Sequence, residues 1–229
     1  MGDAVRVFST LALMGAIRGL AGRYEANSGV KIDVEFAPTL ALLKRLDSGE
    51  AADVLILTRE ALADLAAQER VAADSCVDLA RSYVGLAVKA SAPHPDISSV
   101  ESLRETLLNA RCVGYSRLGA SGIYFAKLIE QMEIAAQINA RAKVIQAGLT
   151  AELLPTDEAE LAVQQISELK LVPGIEVVGP IPVELQQNPA VFSAGRMTGS
   201  RKVAQADGLL KFLKSSDVAP ALRESGLEP

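Results

Sequence analysis

Short apolar runs of strand length recur along the first part of the chain, each followed by a segment whose apolar residues repeat every three to four positions. Val5-Arg6-Val7-Phe8 predicts a first strand. Leu13, Ile17, Leu20 and Tyr24 then fall at i, i+4, i+7 and i+11, which predicts a helix from Leu11 to Asn27 with one buried stripe. Asn27-Ser28-Gly29 marks its end, because these residues tolerate the left-handed backbone of a C-cap. Lys31–Phe36 reads as a second strand, and Thr39–Ser48 as a helix with Leu42, Leu43 and Leu46 inward. Asp53–Leu57 reads as a third strand, followed by a helix from Arg59 to Glu69. Repeated strand–helix–strand units of this size imply parallel strands joined by right-handed crossovers.

A second lobe begins near Tyr83–Val88. Lys89–Asp96, with Pro93, His94 and Pro95, reads as a surface loop. Helices are expected at Ser99–Asn109 and Ser121–Met132, and strands at Arg111–Gly114, Ala142–Ile145 and Leu161–Gln164. The proline and glycine density of Val172–Pro182 marks a connection around a short strand, Ile175–Val178. The strand Val191–Ala194 and the helix Arg201–Lys214 return the chain to the first lobe. The expectation is an α/β protein of two lobes, residues 1–82 plus 190–229 and residues 83–189, with a hinge at the crossings and ligand in the cleft.

Three strand ends run straight into small, hydroxyl-bearing helix starts: Ser9-Thr10, Ala37-Pro38-Thr39, and Gly119-Ala120-Ser121-Gly122. A helix N-terminus presents unpaired N–H groups and partial positive charge, so each junction is a candidate anion cradle. Ser9, Thr10 and Thr39 read as helix caps or as ligand donors, and the two roles can coexist, since a capping side chain bonds one N–H while others face the cleft. Two glycines around Ser121 let backbone approach a ligand closely; an ordinary tight loop is the alternative.

Composition narrows the partners. Apolar residues make up 49% of the chain and charged residues 22%, the balance of a globular protein rather than a disordered one. A net charge of −5 with scattered basic residues argues against nucleic acid. Aromatic residues are 4%, with no Trp, too few for base- or sugar-stacking platforms. Cys76 and Cys112 form no CxxC pair, and one histidine, His94, leaves no metal cluster, so neither metal nor cofactor is expected. The two thiols are read as half-buried, with a disulfide left open. No apolar run spans a bilayer, and no signal peptide precedes Val5, so Met1-Gly2 reads as a start placed on a mature sequence.

The segments Val7-Phe8-Ser9-Thr10, Phe36-Ala37-Pro38-Thr39, Ser48-Gly49-Glu50-Ala51-Ala52-Asp53-Val54, Gly119-Ala120-Ser121-Gly122-Ile123-Tyr124 and Gly179-Pro180-Ile181-Pro182 occur in an order that resembles the solute-binding proteins of bacterial ABC importers. The resemblance is nearest to the periplasmic molybdate-binding group and covers nearly the whole chain. It implies a type 2 two-lobed fold, each lobe a mostly parallel sheet flanked by helices. It also implies a small anionic ligand, a membrane permease as partner and a periplasmic home, with a cytoplasmic one left open. Departures from the family pattern bear on the ligand. Ala12 stands where that family places a serine, Gln165 where it places a donor tyrosine, and Pro38-Thr39 replaces a serine-rich turn. These losses favour a carboxylate over molybdate. Chains with Ser9-Thr10, the Gly-Ala-Ser-Gly loop and the segment Gln164-Gln165-Ile166-Ser167-Glu168 form a side branch resembling trans-aconitate isomerase. The alternative function is therefore isomerisation of an unsaturated polycarboxylate by proton transfer.

The expected ligand set is Ser9, Thr10 and Thr39 on one lobe, with Ser121, Gly122, Gln165 and Arg117 on the other; no catalytic residue is assigned. Arg117 either pairs a carboxylate or is a solvated surface arginine. Alternation along the strand sends one of Gln164 and Gln165 inward and one out, and the family position selects Gln165. Tyr124 reads as core before ligand, His94 as exposed, and Asp53 as a holder of local backbone. No Ser–His–Asp, Cys–His or carboxylate-pair pattern supports hydrolysis.

Overall fold

Strand β1 (Val5–Ser9) passes through a 3-10 turn at Leu11–Leu13 into α1 (Met14–Ser28), then β2 (Ile32–Phe36), α2 (Thr39–Asp47), β3 (Val54–Thr58), α3 (Arg59–Ala67) and β4 (Val77–Ser82). Next come β5 (Val84–Lys89), α4 (Val100–Asn109), β6 (Val113–Ser116), α5 (Ala120–Gln131), α6 (Ala135–Asn139) and β7 (Lys143–Ile145). A 3-10 turn at Thr150–Leu153 precedes β8 (Leu161–Gln165), α7 (Ile166–Leu169) and β9 (Ile175–Pro180). The chain ends with β10 (Ala190–Arg196), α8 (Val203–Leu213) and α9 (Ala219–Glu224). The computed structural model describes residues 4–229, so Met1-Gly2 lies outside the described residues.

Two compact units result: the residues up to Ser82 with Ala190–Pro229, and Tyr83–Pro189. The first unit's sheet has the order β2-β1-β3-β10-β4. Its first three strands are parallel neighbours, and β10 runs antiparallel to both β3 and β4. The second unit's sheet has the order β7-β6-β8-β5-β9, again with a parallel trio followed by strands paired antiparallel. Both sheets therefore have the same pattern of strand directions.

The expected helix stripe is buried: Leu13, Ile17, Leu20 and Tyr24 all lie in the core, and Gly29 closes α1 in the left-handed region at φ 72°. In the first unit, Phe8, Leu42, Leu55, Leu57, Leu62 and Leu65 pack as one core. The second unit's sheet is covered on both faces. Val113, Tyr115, Leu161 and Val163 pack with α4 and α5 residues, while Ala162 packs with Leu153, Leu154, Ala159 and Leu169. A sheet buried on both faces does not keep the inward–outward alternation of a half-exposed one. The expectation for the end of β8 is corrected on this ground: Gln164 and Gln165 are both buried, at 3% and 1% exposure.

Strand β4 and the short helices α6, α7 and α9 lie where the sequence pattern suggests no element. Helices of four to six residues complete too few turns to show a period. Cys76 is exposed, Cys112 is partly buried, and both thiols are free. Among the described residues, no helix is long and apolar enough to cross a membrane.

Candidate functional site

In the first unit, the carboxyl ends of β1, β2 and β3 form one edge, with Ser9 in register with Phe36 on one side and Ile56 on the other. Two bonds extend this pairing past the strands: Ala37 N donates to Ser9 O at 3.1 Å, and Thr10 N donates to Ile56 O at 2.9 Å. The Ser9-Thr10 turn is thus held beside the start of α2. Carboxyl edges of parallel strands are where α/β folds hold ligands.

Neither hydroxyl on β1's end works as a helix cap. Ser9 Oγ donates to Thr10 O at 3.1 Å, and Thr10, at the cap position of the Leu11–Leu13 turn, makes no side-chain cap bond. The capping expectation for Thr39 is also corrected. Pro38, extended at φ −57° and ψ 147°, is the N-cap of α2, and Thr39 is already the first helical residue. From that position the Thr39 side chain makes no cap bond. Thr39 is 6% exposed, and its Oγ1 is buried without a hydrogen-bond partner. Such a group normally costs about 1–3 kcal/mol, so its presence needs an explanation.

The neighbouring helices show the contrast. Thr58 caps α3 by accepting from Ala61 N, Ser99 caps α4 by accepting from Ser102 N, and both helices carry a glutamate in the first turn. α2 and α5 have neither a side-chain cap nor an acidic residue in the first turn. No side-chain cap or first-turn carboxylate offsets the partial positive charge at their starts.

In the second unit, β6 ends at Ser116 and Gly119 is the N-cap of α5, in extended backbone at φ −97°. Ser121 and Gly122 lie buried in the first turn. The close approach expected of Gly122 is to the protein itself: a Cβ there would sit 1.4 Å from Ser116 O. Gly119 faces open space, with nothing within 4 Å of a Cβ.

Arg117 is exposed. Its guanidinium donates to Tyr115 Oη at 3.1 Å and to Asn139 Oδ1 at 3.5 Å, and Tyr115 Oη donates to Asn139 Oδ1 at 2.5 Å. These partners are neutral, so the charge on Arg117 is not cancelled within its network. Gln165 is the last residue of β8 and the N-cap of α7, so it lies on the same carboxyl edge as Ser116.

Three other residues settle into structural roles. Tyr124 Oη donates to Leu185 O at 2.9 Å, and burial pushes its hydroxyl up to about 12, so it is no base at neutral pH. Asp53 lies at the opposite edge, where it accepts from Arg6 N at 2.9 Å and Ser200 Oγ at 2.7 Å. His94 is exposed and pairs Glu176 at 2.7 Å, and the His94 bond is the main cause holding Glu176 below the usual carboxylate range. It lines an open cavity of about 400 Å³ with Asp96, Glu105 and Glu160.

The sequence reading gave no role to Thr150, Gln164 or Glu168. Thr150 N and Oγ1 donate to Gln164 Oε1 at 2.7 and 2.9 Å. Glu168 is buried, which pushes its carboxyl up to about 8 against bonds from the Gln164 side chain and the Gln165 backbone. The available signal was an acid lodged between Ile166 and Leu169, directly after an apolar strand.

Known proteins share this fold. An aconitate isomerase from Pseudomonas sp is 39% identical over 229 residues, spanning 97% of this chain and 87% of that protein. The periplasmic molybdate-binding protein of Azotobacter vinelandii superposes with a TM-score of 0.81 at 13% identity, covering 98% and 99% of the two chains. The sulfate-binding protein SubI of Mycobacterium tuberculosis H37Rv gives 0.75 at 12% identity, covering 99% and 87%. At such identities these structures show a shared two-lobed α/β fold. The family model for bacterial extracellular solute-binding proteins matches residues 5–228, and with a relative this similar along nearly its whole length, the chain belongs to that family.

Proposed function

We propose that this protein binds a small polycarboxylate anion through helix N-termini and hydroxyl donors. The observation that carries the reading is the Thr39 hydroxyl, buried and unpartnered at the uncapped start of α2. A ligand oxyanion would accept from it and from backbone amides at the start of α2, offsetting the cost of leaving it unpaired. Ser9 and Thr10 belong to the same strand-end cluster, and Ser121, Gly122, Gln165 and Arg117 are the second unit's donors. Ala12 and Gln165 take the places of hydroxyl donors in the molybdate group, which favours a carboxylate. The protein works outside the cytoplasm, in the periplasm, and hands its solute to the membrane permease of an ABC importer.

A second reading is favoured by the relative that is 39% identical along 97% of the chain: isomerisation of an aconitate-like acid by proton transfer. The same ligand class serves both readings.

A thermal-shift panel of molybdate, sulfate, phosphate, citrate, cis-aconitate and trans-aconitate tests the proposal. A ligand at about a hundred times its Kd stabilises by roughly 2.7 kcal/mol. The expected result is a larger shift with a carboxylate than with molybdate. A larger shift with molybdate than with every carboxylate defeats the ligand assignment, and no shift with any of them defeats the binding reading.

A further inference from the structure

The end of β8 holds a carboxyl group in a setting carboxylates usually avoid. Glu168 is buried on α7, directly after the strand that ends at Gln165. It accepts from the Gln164 side chain and from the backbone N–H of Gln165. The orientation of Gln164 is fixed from its other side. Thr150 N is only a donor and bonds Gln164 Oε1 at 2.7 Å, so the amide nitrogen must turn to Glu168. One polar chain therefore runs from the turn at Thr150, across the end of β8, to α7.

Burial outweighs both bonds and pushes this carboxyl up to about 8. The charged residues on the strands packed against α7 have partners of their own. Lys89 at the end of β5 pairs Asp157, and Glu176 on β9 pairs His94. α7 itself carries Ser167 and is followed by Lys170, while β8 supplies Gln164 and Gln165. No cation is among the causes of the Glu168 shift, which are burial first and then the two opposing bonds.

We propose that Glu168 is a positioning residue of the anion site: through the Thr150–Gln164–Glu168 chain it holds the Gln164–Gln165 end of β8 for the ligand, and a negative charge on it and a bound anion oppose each other. This rests on the binding reading above. A carboxylate bonded to the Gln165 backbone and an anion on the same edge are like charges in a poorly hydrated setting, and each makes the other costlier. The coupling is reciprocal: bound anion holds the proton on Glu168, and loss of that proton weakens the anion. The neutral acid is the competent form, so affinity is full below about pH 8 and falls as pH rises through it, by up to about tenfold per unit.

Titration calorimetry with trans-aconitate and citrate, from about pH 7 to about pH 9.5, tests this in buffers of different ionisation enthalpy. Both probes are fully charged over most of this range, so a change above about pH 8 belongs to the protein. Wild-type Kd is expected to hold up to about pH 7.5 and then rise, with proton uptake on binding near pH 9. Glu168→Gln, which keeps an acceptor for both bonds and cannot ionise, is expected to show no pH slope. A flat wild-type profile without proton uptake, or an unchanged slope in Glu168→Gln, overturns the proposal. If Glu168→Gln does not fold, wild-type proton uptake near pH 9 decides alone. Absence of binding at neutral pH removes the binding reading and this inference with it; binding with a flat profile removes only this inference.

Discussion

The carbonyl oxygen of Ser116 occupies the space in which a side chain on Gly122 would begin, 1.4 Å from a built Cβ. The last residue of β6 and the first turn of α5 are pressed together, and only a missing side chain permits it. Gly122→Ala must push α5 away from the strand, at a cost of roughly 3 kcal/mol or more. Gly119 makes the control, since its φ of −97° suits any residue and the space around it is open. Chemical denaturation of both variants is expected to show a large loss for Gly122→Ala and a change below about 1 kcal/mol for Gly119→Ala. Equal losses would mean that the close approach is relieved at little cost.

Thr39 gives a prediction with opposite signs in two measurements. Thr39→Val keeps the branched shape and removes a buried hydroxyl that has no partner. Without ligand, stability is expected to stay level or rise by up to about 1 kcal/mol. Affinity for the best carboxylate of the panel is expected to fall by about 1–3 kcal/mol. A destabilised variant that binds as well as wild type would assign Thr39 to the scaffold.

Ser121 lies in the first turn of α5, where the chain supplies neither a cap nor an acidic residue. Ser121→Ala is expected to weaken binding by roughly 1–2 kcal/mol through one lost donor. The same variant separates binding from catalysis. Cis- or trans-aconitate incubated with wild type in deuterated water is expected to come back unlabelled and unchanged. Isomerisation that disappears in Ser121→Ala would establish the enzyme reading instead.

Glu168 also marks the pH dependence of stability. Its folded form is raised from 4.5 to about 8 by burial. Between those values the folded chain keeps a proton that the unfolded chain has released, so stability falls as pH rises across that window and levels off above it. Glu168→Gln removes the titration. Urea melts are expected to show wild type losing on the order of a few kcal/mol relative to Glu168→Gln between about pH 5 and about pH 8. A constant difference between the two would mean that Glu168 titrates normally.

Much of this fold was legible in the sequence. The stripe Leu13-Ile17-Leu20-Tyr24 and the Gly29 cap located α1, and the alternation of short apolar runs with helical stretches located the parallel trios. Local patterning is enough there, because each element buries one defined face. The periodicity was silent about α7, whose four residues complete barely one turn, and it sent one of Gln164 and Gln165 outward where both are buried.

The sequence by itself determined which strands run into small, hydroxyl-bearing helix starts, and so where an anion would be sought. Only the tertiary structure decided what each hydroxyl does. Thr39 is an unpartnered donor rather than a cap because Pro38 takes the cap position. Gly122 serves a helix–strand contact because the Ser116 carbonyl lies against it. The tertiary structure also buries Glu168 on α7, and that burial, which no pattern within its four-residue helix announces, pushes the carboxyl up to about 8.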